Sequence, residues 1–311
     1  MKELKFKHVE EASSRIKDYV INTPVFNFEA LDNELGSKIF FKMDSKQKTK
    51  SFKARGAYNS VLAYKEESGE FPKKIVVQSS GNHAQAIASV AKEFGIEALV
   101  YMIKDSSPIK IQRTKDLGAT VILCEERSEV NKLAYEKIKE GYYFIHPAGG
   151  EHTISGQGTA CYEALKEVGE VDYIFTPCGG GGLTAGSYLA AQGLSKNAKV
   201  YACEPEIAND AARSFKAGKI ISYKSAPKTI ADGARTLSVT PYSFETLKKI
   251  AGVLEISEEK IKFWQDKFGK VTGHKIEATS ALTLAGIEQF LANHPDKKNS
   301  KMLAIISGGN V

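Results

Sequence analysis

The chain has 311 residues, of which 42% are hydrophobic and 26% are charged, and this is the balance of an ordinary globular protein. Lys and Arg exceed Asp and Glu by 43 to 37, giving a formal net charge of +6 at pH 7 that is spread along the chain. Because no basic run carries interleaved aromatic residues, this distribution argues against a nucleic-acid partner and favours small anionic metabolites.

The N-terminal segment has no apolar core of signal-peptide length, and no stretch of the chain reaches the length of a membrane span. The four cysteines lie far apart and form no C-x-x-C pair, which favours free thiols over a disulfide framework or a zinc module. We therefore expect a cytoplasmic protein with no membrane partner.

Short β-rich segments alternate with helical patterns along the whole chain. Several of the predicted strands are continuous apolar runs, as in strands that are covered on both faces. The predicted strands are at residues 38–42, 74–78, 98–103, 120–124, 142–146, 173–178, 200–204 and 303–307. Helices are predicted at residues 84–94, 257–269 and 279–292. Strands that alternate with helices predict an α/β fold with mostly parallel sheets.

Three loops follow predicted strands, which is where open α/β sheets bind their ligands. The first, S-S-G-N-H at residues 79–83, precedes a helix, so its hydroxyl and backbone N–H groups are suited to hold a carboxylate. Ordinary helix capping by Ser and Asn explains the same residues. The second, G-G-G-G-L at residues 179–183, lies between a strand and a helix and lets backbone N–H groups close around a phosphate. The third, S-G-G-N at residues 307–310, is by itself ordinary turn chemistry.

Together with S-F-K-A-R-G-A at residues 51–57, these loops resemble the motifs of the serine/threonine dehydratase and serine racemase family, in the same order and over nearly the whole chain. Members are fold-type II enzymes that depend on pyridoxal 5'-phosphate (PLP) and have a tryptophan synthase β-like fold. The resemblance implies two domains, each with a mostly parallel sheet flanked by helices. Residues 1–69 and 148–311 would form a large PLP-binding domain, and residues 70–147 a small mobile domain.

The resemblance also implies which residues hold the cofactor. Lys53 would carry PLP as a Schiff base, with Phe52 against one face of the ring and Asn82 at the 3'-oxygen. Ser307 would face the pyridine nitrogen, and a hydroxyl there does not enforce protonation of the ring, which favours loss of a β-substituent. The cofactor phosphate would bind the backbone of the second loop, formed by Gly179, Gly180, Gly181, Gly182 and Leu183.

The first loop would bind the substrate. The residues that the resemblance assigns to the substrate carboxylate are Ser79, Ser80, Asn82 and His83. A histidine at a helix start that bonds only to the backbone is an equally good interpretation of His83. A small amino acid is therefore the expected substrate.

These residues predict a PLP-dependent ammonia-lyase, or dehydratase, that converts L-serine or L-threonine to a 2-oxo acid and ammonia. Lys53 would act as the base at the substrate Cα. Ser80 adds serine racemase activity to this expectation, because dehydratases of the family often have alanine there while serine racemases have S-S-G-N-H. Its hydroxyl would supply the proton on the face of Cα opposite Lys53. A hydroxyl that only orders the loop is the alternative, since some bacterial lyases also carry this loop.

E-P-E-I-A-N-D at residues 204–210 resembles the divalent-cation loop of the family. The resemblance implies a structural Mg²⁺ or Ca²⁺ held by the carboxylates of Glu204 and Asp210 and the carbonyl of Ala208, since these ions prefer oxygen ligands. Spacing alone would predict two solvated acidic residues. A homodimer is also expected from the resemblance.

Three further positions qualify these expectations. Lys50 stands where family members usually have glycine, which puts the local backbone shape in question. The chain stops at Val311, directly after the closing motif, so a C-terminal regulatory domain is not expected. Arg235 would pair with a second substrate carboxylate and favour hydroxyaspartate if it reaches the pocket, but a surface arginine is the simpler expectation.

Other functions remain open at this point. The nearest alternatives are a threo-3-hydroxyaspartate ammonia-lyase and an enzyme that is mainly a serine racemase. A β-replacement enzyme such as cysteine synthase fits the lysine motif less well, and a nicotinamide dehydrogenase lacks the G-x-G-x-x-G fingerprint. A catalytically inactive PLP-binding protein is the non-enzyme alternative, and retention of Lys53, Ser80 and Asn82 together argues against it.

Overall fold

The computed structural model describes residues 3–79, 81–106 and 108–311, and the fold is α/β with two separate sheets. The strands are β1 (Val25–Asn27), β2 (Lys38–Met43), β3 (Lys74–Gln78), β4 (Glu97–Ile103), β5 (Thr120–Cys124), β6 (Tyr143–Phe144), β7 (Tyr173–Pro177), β8 (Lys199–Pro205), β9 (Gly252–Ile256) and β10 (Lys301–Ile306). The helices are α1 (Phe6–Ile16), α2 (Glu29–Leu35), α3 (Lys53–Ser68), α4 (Asn82–Phe94), α5 (Pro108–Asp116), α6 (Arg127–Lys139), α7 (Glu151–Val168), α8 (Gly182–Leu194), α9 (Asp210–Ala217), α10 (Pro241–Leu247), α11 (Glu258–Thr272) and α12 (Ala278–Asn293).

The larger sheet has the strand order β1-β2-β10-β7-β8-β9, and the smaller sheet has the order β5-β4-β3-β6. Neighbouring strands pair in parallel throughout, except that β1 pairs antiparallel with β2. The register pairs Met43 with Ile306, so the chain leaves β2 and β10 side by side at one edge of the sheet. Two domains built on mostly parallel sheets are therefore present, which confirms the predicted fold class.

Strand β10 shows that the larger sheet is covered on both faces. Met302, Ala304 and Ile306 pack into a core with α11 and α12, whereas Leu303 and Ile305 pack into a second core with α7 and α8. Successive side chains of a strand point to opposite faces, so an apolar run without alternation is what a doubly covered strand requires. The continuous apolar runs in the sequence are thereby explained.

Helix α3 lies between the two domains. It packs against α7 of the larger domain and against α4 of the smaller one. Ala54, Tyr58 and Val61 on α3 belong to the same hydrophobic core as Val77 on β3. A residue at the start of α3 is thus held by both domains.

The structure corrects several boundaries. Strands β1 and β9 were not predicted, and both are edge strands of the larger sheet, β1 being only three residues long. Helix α4 begins at Asn82 after an N-cap at Gly81, and no side-chain hydrogen bond caps it, so capping by Ser or Asn was the wrong interpretation. Helix α8 begins at Gly182, not after Leu183, because Gly181 takes the left-handed conformation that precedes the first turn. No helix in the described part of the chain is long and apolar enough to cross a membrane.

Candidate active site

One cavity of about 990 Å³ is lined by residues of both domains. This volume is at the upper end of the range for small-molecule and cofactor sites. The predicted cofactor and substrate residues that line it are Phe52, Lys53, Ser79, Asn82, His83, Gly179, Gly180, Gly181, Gly182, Leu183 and Ser307. Ser80 lies outside the described residues. The predicted cation ligands do not line this cavity.

Lys53 is the first residue of α3, and pairing between two distant motifs holds it there. Phe52 N donates a hydrogen bond to Ser307 O at 3.0 Å, and Gly309 N donates to Lys50 O at 2.9 Å. Lys50 adopts a left-handed φ of 52°, which is the conformation that a glycine would favour at this place. The lysine motif and the closing motif therefore form one structural unit, and the substitution of Lys50 for glycine leaves the backbone turn in place.

The Lys53 ammonium group reaches into the cavity. Its Nζ donates to Pro147 O at 2.5 Å and lies 4.7 Å from the centre of the Phe52 ring. Burial lowers the pKa of Lys53 to about 8, so a neutral amine is accessible close to physiological pH. A lysine in this state is suited to nucleophilic and general-base chemistry.

The glycine loop leaves no room for side chains. A Cβ on Gly182 would come within 2.4 Å of Gln157 Oε1 and 2.7 Å of Ala148 O, and a Cβ on Gly180 would come within 2.6 Å of the Ala148 Cβ. The loop leads directly into the N-terminus of α8, where backbone N–H groups have no partner within the helix. The packing and the helix terminus together make an anion cradle that only glycines permit.

A buried carboxylate organises the other side of the cavity. Glu277 accepts hydrogen bonds from Asn82 Nδ2 at 2.9 and 3.0 Å and from the backbone N–H of Asn310 at 3.1 Å. Asn310 Nδ2 also donates to Asn82 Oδ1 at 2.9 Å. Burial raises the pKa of Glu277. Sequence reasoning missed Glu277, because a single acidic residue before a helix is common.

His83 has its ring fully inside the protein. Its Nε2 lies 2.8 Å from Ile145 O, and a carbonyl can only accept, so Nε2 carries the proton. Burial, together with the charge of Lys53, lowers the pKa of His83 to about 3, and the ring is neutral. Its buried Nδ1 is therefore a lone-pair acceptor and has no partner in the described part of the chain.

His146 is a cavity residue that the sequence analysis missed. Its Nδ1 accepts a hydrogen bond from Ala148 N at 3.1 Å, which leaves Nε2 as the donor of a neutral ring. Burial and the charge of Lys53 lower its pKa to about 4. A histidine at the end of a predicted strand carries no motif that would have identified it.

The predicted cation loop lies at the end of β8 and the start of α9. Glu204 is buried and accepts hydrogen bonds from Ala212 N at 2.6 Å and Ala211 N at 3.1 Å. Asp210 is also buried, and neither of its carboxylate oxygens has a hydrogen-bond partner in the described residues. Burial raises the pKa of Glu204 to about 9 and that of Asp210 to about 7. Two buried carboxylates with unsatisfied oxygens fit a hard cation, although no described group of three His, Cys, Asp or Glu side chains forms a metal site.

Comparisons with known proteins extend over the whole chain. A family model described as pyridoxal-phosphate dependent enzyme matches residues 16–308. The L-threo-3-hydroxyaspartate ammonia-lyase of Saccharomyces cerevisiae is 38% identical over 97% of this chain and 92% of the relative. The serine racemase of Schizosaccharomyces pombe is 38% identical over 98% of this chain and 94% of the relative.

Solved structures agree with these relatives. Maize serine racemase superimposes with a TM-score of 0.94 at 34% identity, over 100% of this chain and 94% of that chain. The serine racemase of Dictyostelium discoideum gives a TM-score of 0.91 at 35% identity, over 99% of both chains. A bacterial-type threonine deaminase, from the source abbreviated T.th., gives a TM-score of 0.91 at 36% identity, also over 99% of both chains.

Proposed function

This chain belongs to the pyridoxal-phosphate dependent enzyme family, and we propose that it is an ammonia-lyase for L-serine and L-threonine with serine racemase activity. The observation that carries the proposal is Lys53, a lysine with a pKa of about 8 that faces one cavity together with a glycine-built anion cradle. The products would be a 2-oxo acid and ammonia. The relatives named serine racemase and threonine deaminase support this substrate class.

The cavity residues fit PLP. We propose that Lys53 holds the aldehyde carbon, that Gly179–Leu183 hold the phosphate, and that Phe52 lies against the ring, with Ser307 at the pyridine nitrogen and Asn82 at the 3'-oxygen. Support comes from the clashes that any Cβ would make at Gly180 and Gly182 and from the burial of Ser307 at the end of β10. When bound, PLP supplies an electron sink for the negative charge that develops at the substrate Cα.

Lys53 would move the proton at the substrate Cα. Its hydrogen bond to Pro147 O holds Nζ in one direction, and Gln157 Nε2 donates to the same carbonyl at 2.9 Å and fixes that carbonyl. The lowered pKa makes the neutral amine available at pH 7 to 8, which a general base requires. After the β-hydroxyl leaves as water, the released enamine hydrolyses to the 2-oxo acid and ammonia.

The N-terminus of α4 would bind the substrate carboxylate, through Ser79, Ser80, Asn82 and His83. The ring of His83 donates to Ile145 O and is neutral, so we propose that this residue contributes its backbone N–H group and not its imidazole. Ser80 would donate the proton on the face of Cα opposite Lys53 and thereby give racemisation. That role stays a prediction of the sequence.

Three finer proposals accompany the function. Residues 1–69 and 148–311 would form the large domain and residues 70–147 the small one, in keeping with the position of strands β3 to β6. A structural Mg²⁺ or Ca²⁺ would bind Glu204, Ala208 and Asp210, since the Asp210 oxygens lack partners in the described residues. We also propose a cytoplasmic homodimer, on the family resemblance alone.

The relative from Saccharomyces cerevisiae favours a second candidate function, L-threo-3-hydroxyaspartate ammonia-lyase. The two candidates share the cofactor, the base and the carboxylate site. They differ in what the cavity offers to the substrate β-substituent. An enzyme that is predominantly a serine racemase and an inactive PLP-binding protein are the remaining outcomes.

The cofactor assignment is tested by spectroscopy on purified protein. We expect a visible absorption band from PLP that borohydride removes in the wild type and that is absent in Lys53→Ala. Lys46→Ala is the matched control, because Lys46 is an exposed lysine that does not line the cavity. A colourless wild type that PLP cannot reconstitute would refute the function.

The reaction is tested by product analysis. Wild-type enzyme is incubated with L-serine, L-threonine and L-threo-3-hydroxyaspartate, and the 2-oxo acid and the D-enantiomer are measured separately. Ser80→Ala should abolish D-serine formation and retain most of the 2-oxo acid formation. Unchanged D-serine formation in Ser80→Ala would show that Ser80 is not the second acid–base group.

A further inference from the structure

The charges that line the cavity are unevenly satisfied. Three cationic side chains, those of Lys53, Lys110 and Arg235, line its described part. Lys110 forms an ion pair with Asp232, and the low pKa of Lys53 is due to burial. No carboxylate in the described residues pairs with Arg235. Arg235 is thus a cavity cation whose charge is free for a ligand.

The acidic side chains of the lining do not compensate Arg235. Asp232 is paired with Lys110, and Glu277 accepts hydrogen bonds from Asn82 and Asn310. A cation with a full set of protein partners would be structural. Arg235 lacks them in the described part of the chain and stays exposed at the cavity, as a group that meets an incoming anion would.

The backbone that carries Arg235 is held firmly beside the glycine loop. Gly233 N donates to Thr279 Oγ1 at 3.0 Å, and Arg235 N donates to Asp232 O at 3.3 Å. A Cβ on Gly179 would come within 2.9 Å of Gly233 O, so this segment and the anion cradle are in direct contact. The guanidinium is therefore the mobile end of a side chain on a fixed support.

We propose that Arg235 binds the second carboxylate of a dicarboxylic substrate, so that the enzyme also acts on 3-hydroxy dicarboxylic amino acids such as L-threo-3-hydroxyaspartate. A guanidinium matches a carboxylate with two parallel hydrogen bonds, and it has nothing comparable to offer to the side chain of L-serine. This inference rests on the proposed lyase function and adds a specificity-determining residue to it.

The chemistry remains balanced with the larger substrate. The Cα proton passes to Lys53 Nζ, and the β-hydroxyl leaves with one proton as water. One water then hydrolyses the released enamine. One 3-hydroxy dicarboxylic amino acid gives one 2-oxo dicarboxylic acid and one ammonia, and the second carboxylate is unchanged throughout.

The test compares kcat/KM for L-threo-3-hydroxyaspartate and for L-serine in the PLP-loaded protein. In Arg235→Gln the value for hydroxyaspartate should fall about 10- to 100-fold, the range of a lost charge-assisted hydrogen bond, while that for L-serine changes less than about twofold. Arg235→Lys should restore part of the loss, because a point charge remains but the paired geometry does not. Lys228→Gln is the control for the change in net charge, since Lys228 is exposed and outside the cavity lining.

The outcomes separate this inference from the proposed function. A wild type that forms no 2-oxo acid from any of the substrates refutes the lyase function. A wild type active on L-serine, with an Arg235→Gln variant whose substrate ratio is unchanged, refutes only the role of Arg235. If Arg235→Gln instead loosens PLP binding and lowers both activities equally, Arg235 binds the cofactor phosphate and the proposal is overturned.

Discussion

Two buried cations and two carboxylates form one network next to the start of α3. Arg55 donates to Asp44 at 2.6 and 2.9 Å and to Glu163 at 2.7 and 2.8 Å, a paired hydrogen bond in each case. Lys42 Nζ lies 2.6 Å from Glu163 Oε2. Because Arg55 follows Lys53 by two positions, the network ties the first turn of α3 to the end of β2 and to α7.

Asp44→Asn should lower the free energy of unfolding by about 3 kcal/mol, because it leaves the buried Arg55 with one carboxylate in place of two. Burial opposes ionisation of Asp44, but the charge of Arg55 outweighs it, and the pKa lies below the usual 3.8. The ionised form therefore stabilises the fold above about pH 4, and this contribution disappears as the pH falls through the lowered pKa.

Urea unfolding at about pH 7 and about pH 3.5 measures both effects, and the difference between wild type and variant should shrink at the lower pH. Asp266→Asn is the control, because it breaks an exposed ion pair with Lys262. Similar losses in the two variants would contradict a special role for the buried network.

Motifs predict single residues only where their chemistry is carried by the residue type. Lys53 and the glycine loop could be assigned from sequence, since a reactive lysine and four glycines have few other reasons to stand in these places. Glu277 and His146 could not, because their roles come from burial and from hydrogen bonds that the sequence pattern does not show. The motif also predicted a ligand-binding imidazole for His83 as readily as the backbone bond that the ring makes.

Helices α7 and α8 cross with almost no separation. A Cβ on Gly158 would lie 2.6 Å from Gly186 O and 2.9 Å from Gly186 Cα, both backbone atoms that cannot turn aside. This contact holds α7, which carries Gln157, against α8, which begins in the glycine loop. The close approach of these two helices is therefore part of how the anion cradle is built.

Gly158→Ala should destabilise the protein by about 1–3 kcal/mol, since the added methyl group forces the two helices apart. Gly269→Ala in α11 is the matched control, because its Cβ would meet only His274 O at 3.8 Å. That variant should gain about 0.5–1 kcal/mol through a less flexible unfolded chain. Thermal unfolding of the two variants side by side measures the contrast, and equal effects of the two substitutions would refute the packing argument.

Element prediction succeeded where burial leaves a pattern. The eight strands that the sequence indicated are present with small shifts at their ends, since most are buried on both faces and read as apolar runs. The strands it missed, β1 and β9, are edge strands, and the side chains of β9 are only partly buried along most of its length. The start of α8 was misplaced because a glycine at a helix start looks the same in the sequence as a glycine in a loop.

The two domains meet mainly through polar contacts around the cavity. Lys110 of α5 pairs with Asp232, and Arg113 of the same helix donates to Asn310 at 3.2 Å. Asn82 of α4 bonds to Glu277 in the same region. Ion pairs that are partly exposed contribute little net energy, so these contacts can open to admit a substrate at small cost. No sequence period could predict them, because each partner comes from a different part of the chain.

The cation loop makes a prediction for the stability of the whole molecule. Burial raises the folded-state pKa of Glu204 to about 9 and that of Asp210 to about 7, so without a cation the folded protein takes up protons that the unfolded chain releases. Stability of the chelator-treated, PLP-loaded protein should therefore fall as the pH rises from about 5 to 9. Added Mg²⁺ or Ca²⁺ replaces those protons and should raise Tm more at about pH 8 than at about pH 6. In Glu204→Gln both the pH slope and the response to the cation should be much weaker. A Tm that responds equally to the cation at both pH values, or equally in the variant, would contradict a cation site at Glu204 and Asp210.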